Sequence, residues 1–221
     1  MSGHILKTYD DNLHHLKDMV LEMGGNAVLA LEKSINGLIE GDRELCAEVI
    51  DDDEVIDNAE KKIDEQGMSI LLRYNPVASD LRLVFSSINI CRSLERIGDH
   101  AVNIAKRSRK ILKGSGSDQT RLLEPLYLEA RKIVSAAMTA YSDVDEKGAH
   151  AVIEMDAQVD EAHKILTKNL SSRIAEEGEE NTEAMLNVLF ISRSLERIGD
   201  LAVNIAEDVV FITSAEDIRH T

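Results

Sequence analysis

This chain has no tryptophan, 3% aromatic residues in all, and two prolines among 221 residues. Strands are rich in aromatic and β-branched side chains, so this composition excludes an all-β sandwich or barrel and favours long helices. Excess positive charge is missing too. Lys and Arg number 25 against 41 Asp and Glu, a net charge of −16. Nucleic-acid backbones and anionic lipid reward a basic surface, so neither is the expected partner; an acidic surface attracts cations and basic protein surfaces. Paired cysteines are missing: Cys46 and Cys91 are lone thiols with no CxxC arrangement, which fits a reducing compartment. No apolar run approaches the ~20 residues of a spanning helix. The N-terminus, MSGHILKTYDDNLHHLKDM, lacks the basic and apolar segments of a secretory signal. A cytoplasmic protein without membrane insertion is expected.

What is present is a phrase said twice. RSLERIGDHAVNIAK at 92–106 returns as RSLERIGDLAVNIAE at 193–207, and from Arg92 to Ala105 the copies differ only at His100 against Leu201. A period of about 100 residues is too long for a solenoid repeat and is the size of a small domain, which points to a tandem duplication.

Helix ends are legible. Leu6, Leu13, Leu16, Val20, Met23, Ala27, Leu31 and Leu38 recur at three- and four-residue spacings, predicting a first helix from about Ser2 or His4 to Glu40, ended by Gly41. A second runs from about Arg43, capped by Asp42, to Tyr74, where Asn75-Pro76 breaks it. A third runs from about Val77 to Lys113, before the Gly/Ser-rich stretch 114–118. The second half predicts helices at about 119–141 with Pro125 in the first turns, 147–177 ended by Gly178, and 181–213 capped by Asn181 or Thr182. The expected fold is all-α, a tandem duplication of a three-helix bundle. The bundles are at 1–113 and 119–221, with 114–118 as linker, and lie end to end or side by side. Met19, Met23, Met68 and Met185, with Cys46 and Cys91, read as core filling.

The candidate site lies in acidic stripes. With Leu94 at zero on a helical wheel, Glu95 and Asp99 fall at about 100° and 140°, on the border of the apolar stripe, and Asn103 at about 180°. The second copy repeats them as Glu196, Asp200 and Asn204. On the second helix Asp53, Asp57, Glu60 and Asp64 line one face; on the fifth, Asp156, Asp160 and His163 are the counterparts, with His163 in place of Glu60 and Thr167 in place of Asp64. Like charges at i, i+4 repel, so such stripes need Arg or Lys from a neighbour, or a bound cation. Carboxylate and amide oxygens suit Mg²⁺, Ca²⁺, Mn²⁺ or ferric iron, and His163 adds a nitrogen that suits iron, manganese or zinc. The alternative is a solvated face of alternating charge, since Arg92–Glu95 and Arg96–Asp99 stand at i, i+3 with opposite signs. Gly98 and Gly199 on the packing side mark close approach of another helix.

No GxxxxGK[ST], GxGxxG or HExxH occurs, and no nucleophile with a defensible base. His14-His15 point to different faces and read as exposed. The phrases LERIGDHAVNIA and LERIGDLAVNIA, the pairs Asp53/Asp57 and Asp156/Asp160, and NPVASDLR at 75–82 resemble the PhoU family of bacterial phosphate-transport accessory and signalling proteins. The likeness covers essentially the whole chain. It implies a cytoplasmic negative regulator of the phosphate-starvation response and modulator of phosphate uptake. Such a protein is a non-catalytic adaptor between the ATPase of a phosphate importer and the phosphate-sensing histidine kinase. A homodimer is expected. The resemblance also implies multinuclear clusters of iron, manganese, zinc or magnesium, none of them needed for catalysis. One cluster would use Asp53, Asp57, Glu95 and Asp99 with Asn103 and Asp80; the other would use Asp156, Asp160, Glu196 and Asp200 with Asn204 and His163. NPVASDLR has no second copy, so Asp80 is either a ligand of one site alone or a helix-capping or Arg82-pairing residue. The rival reading is a metal-carboxylate helical-bundle enzyme or metal-storage protein. That class uses Glu-x-x-His inside four-helix bundles, whereas the pairs here read Glu-x-x-x-Asp.

Overall fold

The three- and four-residue apolar spacing folds as expected. The computed structural model describes residues 2–114, 118–177 and 182–218, nearly all of them helical and none in a strand. Helix α1 spans Ser2–Glu40, α2 Arg43–Asp51, α3 Asp53–Tyr74 and α4 Ala78–Ile111. After a 3₁₀ segment at Asp118–Leu123 come α5, Glu124–Asp143, α6, Glu146–Glu177, and α7, Thr182–Ser214. Gly178, Asn181 and most of the 114–118 linker lie outside the described residues.

The turns show why the elements end where they do. Gly41 takes φ +76, and the Asp42 carboxylate accepts from the N–H groups of Glu44 and Leu45 at 2.9 Å each. The second half repeats the device with Val144 at φ +52 and Asp145 accepting from Lys147 N–H at 3.0 Å. Three expectations are corrected. The helix expected over 43–74 breaks at Asp52, in a run of three aspartates, which have low helix propensity and repel one another; Lys33 Nζ reaches Asp52 at 3.3 Å beside the break. The helix expected from about Gln119, α5, begins at Glu124, because Pro125 has no N–H to give and is accommodated only in a first turn. Met68 is 53% exposed rather than in the core, while Met23 and Met185 are fully buried.

The halves lie side by side. Helices α1, α3 and α4 pack on one another, as do α5, α6 and α7, and among the described residues α4 against α7 is the most extensive helix pair. The pair is antiparallel: Asn89 Nδ2 donates to Asp208 at 3.3 Å at one end, and at the other Arg107 donates to Asn187 at 3.3 Å and lies 4.1 Å over the Phe190 ring. One continuous apolar cluster runs through both halves. Within it the Ser87 hydroxyl of α4 meets the Tyr141 hydroxyl of α5 at 2.7 Å, both side chains fully buried.

Gly98 is buried where α4 meets α3. A Cβ there would lie 2.8 Å from Ile56 Cδ1 and 3.3 Å from its Cγ2. The Gly98→Ala variant is expected to lose about 1 kcal/mol net, the clash exceeding the ~1 kcal/mol helix-propensity gain. Trimming the neighbour with Ile56→Val in the same chain should recover most of that loss in a urea-melt double-mutant cycle. A Gly98→Ala variant more stable than its parent would show that α3 yields freely at this crossing.

Candidate functional site

The close α3–α4 crossing is what gathers the acids. With Gly98 beneath them, the α3 carboxylates Asp53, Asp57 and Glu60 stand next to Glu95 and Asp99 of α4. Burial pushes the Asp53 carboxyl up, and Asp57 on its own helix and Asp99 across the crossing push it further. Burial likewise raises Glu95, reinforced by Asp99, Glu60, Asp57 and Asp53. The second half repeats the arrangement at α6–α7. Gly199 sits under Val159, where an added Cβ would meet Val159 Cγ1 at 3.0 Å and Asp156 Oδ1 at 3.1 Å. Asp156 is pushed up to about 6 by burial and then by Asp160, Asp200 and Glu196.

The structure therefore brings together Asp53, Asp57, Glu95 and Asp99, and separately Asp156, Asp160, Glu196 and Asp200. It also draws in Glu60, which the stripe marked but the expected ligand set omitted. Asn103 and Asn204 are exposed one turn beyond Asp99 and Asp200. His163 lines a 320 Å³ pocket with Phe190, Arg193, Glu196 and Arg197. Asp80 does not join the first group. It accepts from Tyr9 Oη at 2.8 Å, and it precedes Glu95 on α4 by a distance of roughly 22 Å along the axis. Its role is to tie the start of α1 to the start of α4, where the Tyr9 and Tyr74 rings also meet at 5.1 Å. Arg82 does not pair with it but donates to the Ile212 carbonyl at 3.2 Å.

The two groups differ in how they are neutralised. Arg197 Nη1 pairs with Asp200 at 3.1 Å, and its Nε lies 3.7 Å from Glu196. Among the described residues, neither Arg92–Glu95 nor Arg96–Asp99 forms an ion pair; Arg92, Arg96 and Asp99 are exposed. Asp64 Oδ1, His163 Nδ1 and Thr167 Oγ1 are buried without a hydrogen-bond partner, at the continuation of the two stripes. A donor set of carboxylates with orphaned polar atoms beside it fits a hard cation chemically. As the side chains stand, no three His, Cys, Asp or Glu among the described residues converge on one point.

The remaining candidates are structural. Cys91 is buried with its Sγ 3.4 Å from Met23 Sδ, and burial pushes its thiol up to about 12; Cys46 is buried and raised as well, so neither is a ready nucleophile. His14 is exposed and bonds the Asp10 carbonyl at 2.8 Å; His15 is exposed. His100, the one residue between Arg92 and Ala105 that differs from the second copy, is half-buried, and burial and Arg96 push its pKa down.

Comparison with known proteins bears on all of this. The PhoU domain family matches residues 20–108 and again 124–209, most of the chain and once in each half. This chain belongs to the PhoU family. A phosphate-specific transport system accessory protein PhoU homolog from Xylella fastidiosa is 35% identical over 215 residues, 97% of this chain and 89% of that one. The crystal structure of PhoU from Pseudomonas aeruginosa superposes with a TM-score of 0.89 at 32% identity, covering 94% of this chain and all of that one. That of the phosphate transport system regulatory protein PhoU from Streptococcus pneumoniae gives 0.85 at 25%, covering 95% and 99%. The doubled PhoU match agrees with the internal repeat. The names of these relatives are those of accessory and regulatory proteins, in line with the expectation that this PhoU protein is not an enzyme. No helix among the described residues is long and apolar enough to cross a membrane.

Proposed function

We propose that this PhoU-family chain is a cytoplasmic accessory protein of a phosphate-specific transport system. In this reading it is a non-catalytic adaptor that touches the importer's ATPase and the phosphate-sensing histidine kinase and keeps phosphate-starvation genes off when phosphate is plentiful. The observation that carries the reading is the near full-length match to proteins named for that accessory role. The net charge of −16 supports it, since an acidic surface speeds encounter with cationic protein surfaces. A strain lacking the chain should express phosphate-starvation genes in high phosphate and regain repression on complementation. Pull-down of either partner should weaken as salt rises. Normal repression in the deletion strain sinks the proposal.

The acidic groups support a second element of the reading, cation binding that regulates rather than catalyses. Asp53, Asp57, Glu95 and Asp99 would hold one set of ions, and Asp156, Asp160, Glu196 and Asp200 the other, with Asn103, Asn204 and His163 at the margins. A hard cation there supplies charge neutralisation, and because it binds only the folded chain it adds stability as RT ln(1 + [L]/Kd). Mn²⁺ or iron is expected to raise the melting temperature and chelator to reverse the rise. Asp99→Ala and Asp200→Ala should each remove one share of bound metal. Asp80→Ala should keep the full complement while costing about 1 kcal/mol, through loss of the Tyr9–Asp80 hydrogen bond. Identical melting curves with metal and with chelator would end this part of the proposal. We also propose a homodimer, which light scattering tests directly.

A further inference from the structure

The duplicated halves are not equivalent on the face between their first and second long helices. Gly41-Asp42 and Val144-Asp145 mark the same turn, so α1 and α3 align residue by residue with α5 and α6. In that register buried meets buried along most of the core: Ala27 with Ala130, Leu31 with Val134, Ile35 with Met138, Ile56 with Val159, Ile63 with Leu166. Exposed positions do not keep the match, and the second half has Ile165, 52% exposed, where the first has Lys62. Leu29 and Val55, 50% and 53% exposed, stand where the second half has Lys132 and Gln158. Lys132 Nζ donates to Gln158 Oε1 at 3.4 Å and pairs with Glu129 at 3.3 Å, so a polar bridge spans α5 and α6 where the first half is apolar and bare.

That bare stretch is concave. Two depressions of 180 and 140 Å³ lie in line between α1 and α3, sharing Asn26 and Val55 on their walls. The first is lined by Leu29, Ala30, Val49 and Ile56, the second by Met19, Met23, Ala59 and Ile63. Their α1 linings are centred about seven residues apart, or roughly 10 Å, which is the i, i+7 spacing of anchors on a guest helix. Acids stand on the rim of both depressions. Asp52 and Asp53 border the first, where Lys33 is already engaged by Glu48 and Asp52 at 3.3 Å each, and Glu22 stands with Lys62 at the second.

We infer that the α1–α3 groove of the first half is a docking site for a basic amphipathic helix of a partner protein. The helix would seat two apolar anchors in the depressions and place its Lys or Arg residues against Asp52 and Glu22, leaving Asp53 to the acidic group. Methionines at the Met19–Met23 end adapt to the anchor's shape. The second half has closed the same place with the Lys132–Gln158 bridge, so the site is single despite the duplication. The inference deepens the adaptor reading, on which it rests for expecting a protein partner.

The second half supplies the test variant. Leu29→Lys with Val55→Gln copies the pair that the fold already accommodates at this register, so it should melt like the parent. The probe is a fluorescein-labelled amphipathic peptide of about 18 residues made of Leu and Lys, long enough to span the groove. Its controls are a scrambled peptide of the same composition and a Leu/Glu twin. The parent chain should bind the Leu/Lys helix at least about tenfold tighter than either control and than the variant does, with hydrogen-exchange protection confined to 19–33 and 52–63. Equal binding by the scrambled peptide, or by the variant, overturns the inference, because attraction to the acidic surface at large then suffices. A variant that instead turns a dimer into a monomer in light scattering also overturns it, assigning the groove to a second copy. Groove binding with normal repression in the deletion strain would overturn only the adaptor reading; derepression without groove binding would overturn only this one.

Discussion

Truncating Tyr141 to alanine is expected to cost about 3–5 kcal/mol, the largest single-residue loss among the changes considered. Tyr141 is fully buried and reaches from α5 of the second half to Ser87 on α4 of the first, so the cavity would open between the halves. The hydroxyl can be separated from the ring. Tyr141→Phe keeps the volume but strips the fully buried Ser87 hydroxyl of its partner at 2.7 Å, which costs about 1–3 kcal/mol. Rotation of Ser87 onto a carbonyl one turn back, as Ser108 does onto Ile104, would hold the loss at the low end. Adding Ser87→Ala to Tyr141→Phe removes both polar groups, and the double variant should recover most of the single loss. Urea melts of the four chains measure the coupling. Additive losses would mean that the hydroxyl pair contributes nothing beyond packing.

The acidic groups make the opposite prediction, a gain on removing a native side chain. Asp156→Asn should raise the melting temperature at pH 7.5 by several degrees in metal-free buffer. The Asp156 carboxyl, pushed up to about 6, binds its proton more tightly in the folded chain than in the unfolded one. Stability is therefore highest below the unfolded value of about 4 and falls as pH rises through about 6. The full shift would correspond to about 3 kcal/mol; solvent at this half-buried site screens it to about 1–2 kcal/mol, which is a few degrees for a chain of this size. Between pH 7.5 and pH 5 the parent should gain stability from this group and the variant should not. In excess Mn²⁺ the ranking should invert, because the cation that relieves the repulsion in the parent loses a ligand in the variant. A variant no more stable than the parent in metal-free buffer at pH 7.5 would show that Asp156 is not strained by Asp160, Asp200 and Glu196.

Both predictions turn on contacts between helices, and here the sequence was unevenly legible. The helices themselves could be read, because a three- and four-residue apolar spacing and a glycine or Asn-Pro stop are local signals. The break at Asp52 was not, because a run of three aspartates weakens a helix without forbidding it. The 3₁₀ start at 118–123 was missed because proline near a helix N-terminus is compatible with either outcome. The acids of each group were legible as recurring pairs. Glu60 lay in the same stripe, and only its position across from Glu95 brings it into the group. Asp80 sits in the stretch that the PhoU resemblance marked, yet its carboxylate turns to Tyr9 about four turns of helix away from Glu95.

Taken alone, the sequence determined the all-α class, the duplication, the PhoU kinship and which carboxylates recur, since these are properties of order and spacing along one strand of chain. A helical wheel also assigned Gly98 to the packing side, because the angle around a helix depends on that helix alone. What lies at a given angle depends on a neighbour. Only the tertiary structure decided that α4 packs antiparallel on α7 and sets the halves side by side. The same holds for Arg197, which answers the acids of one group and not the other, and for Leu29 and Val55, which stay bare where Lys132 and Gln158 join. Side chains distant in sequence interact through distances of a few ångströms, and those are set by how whole helices pack.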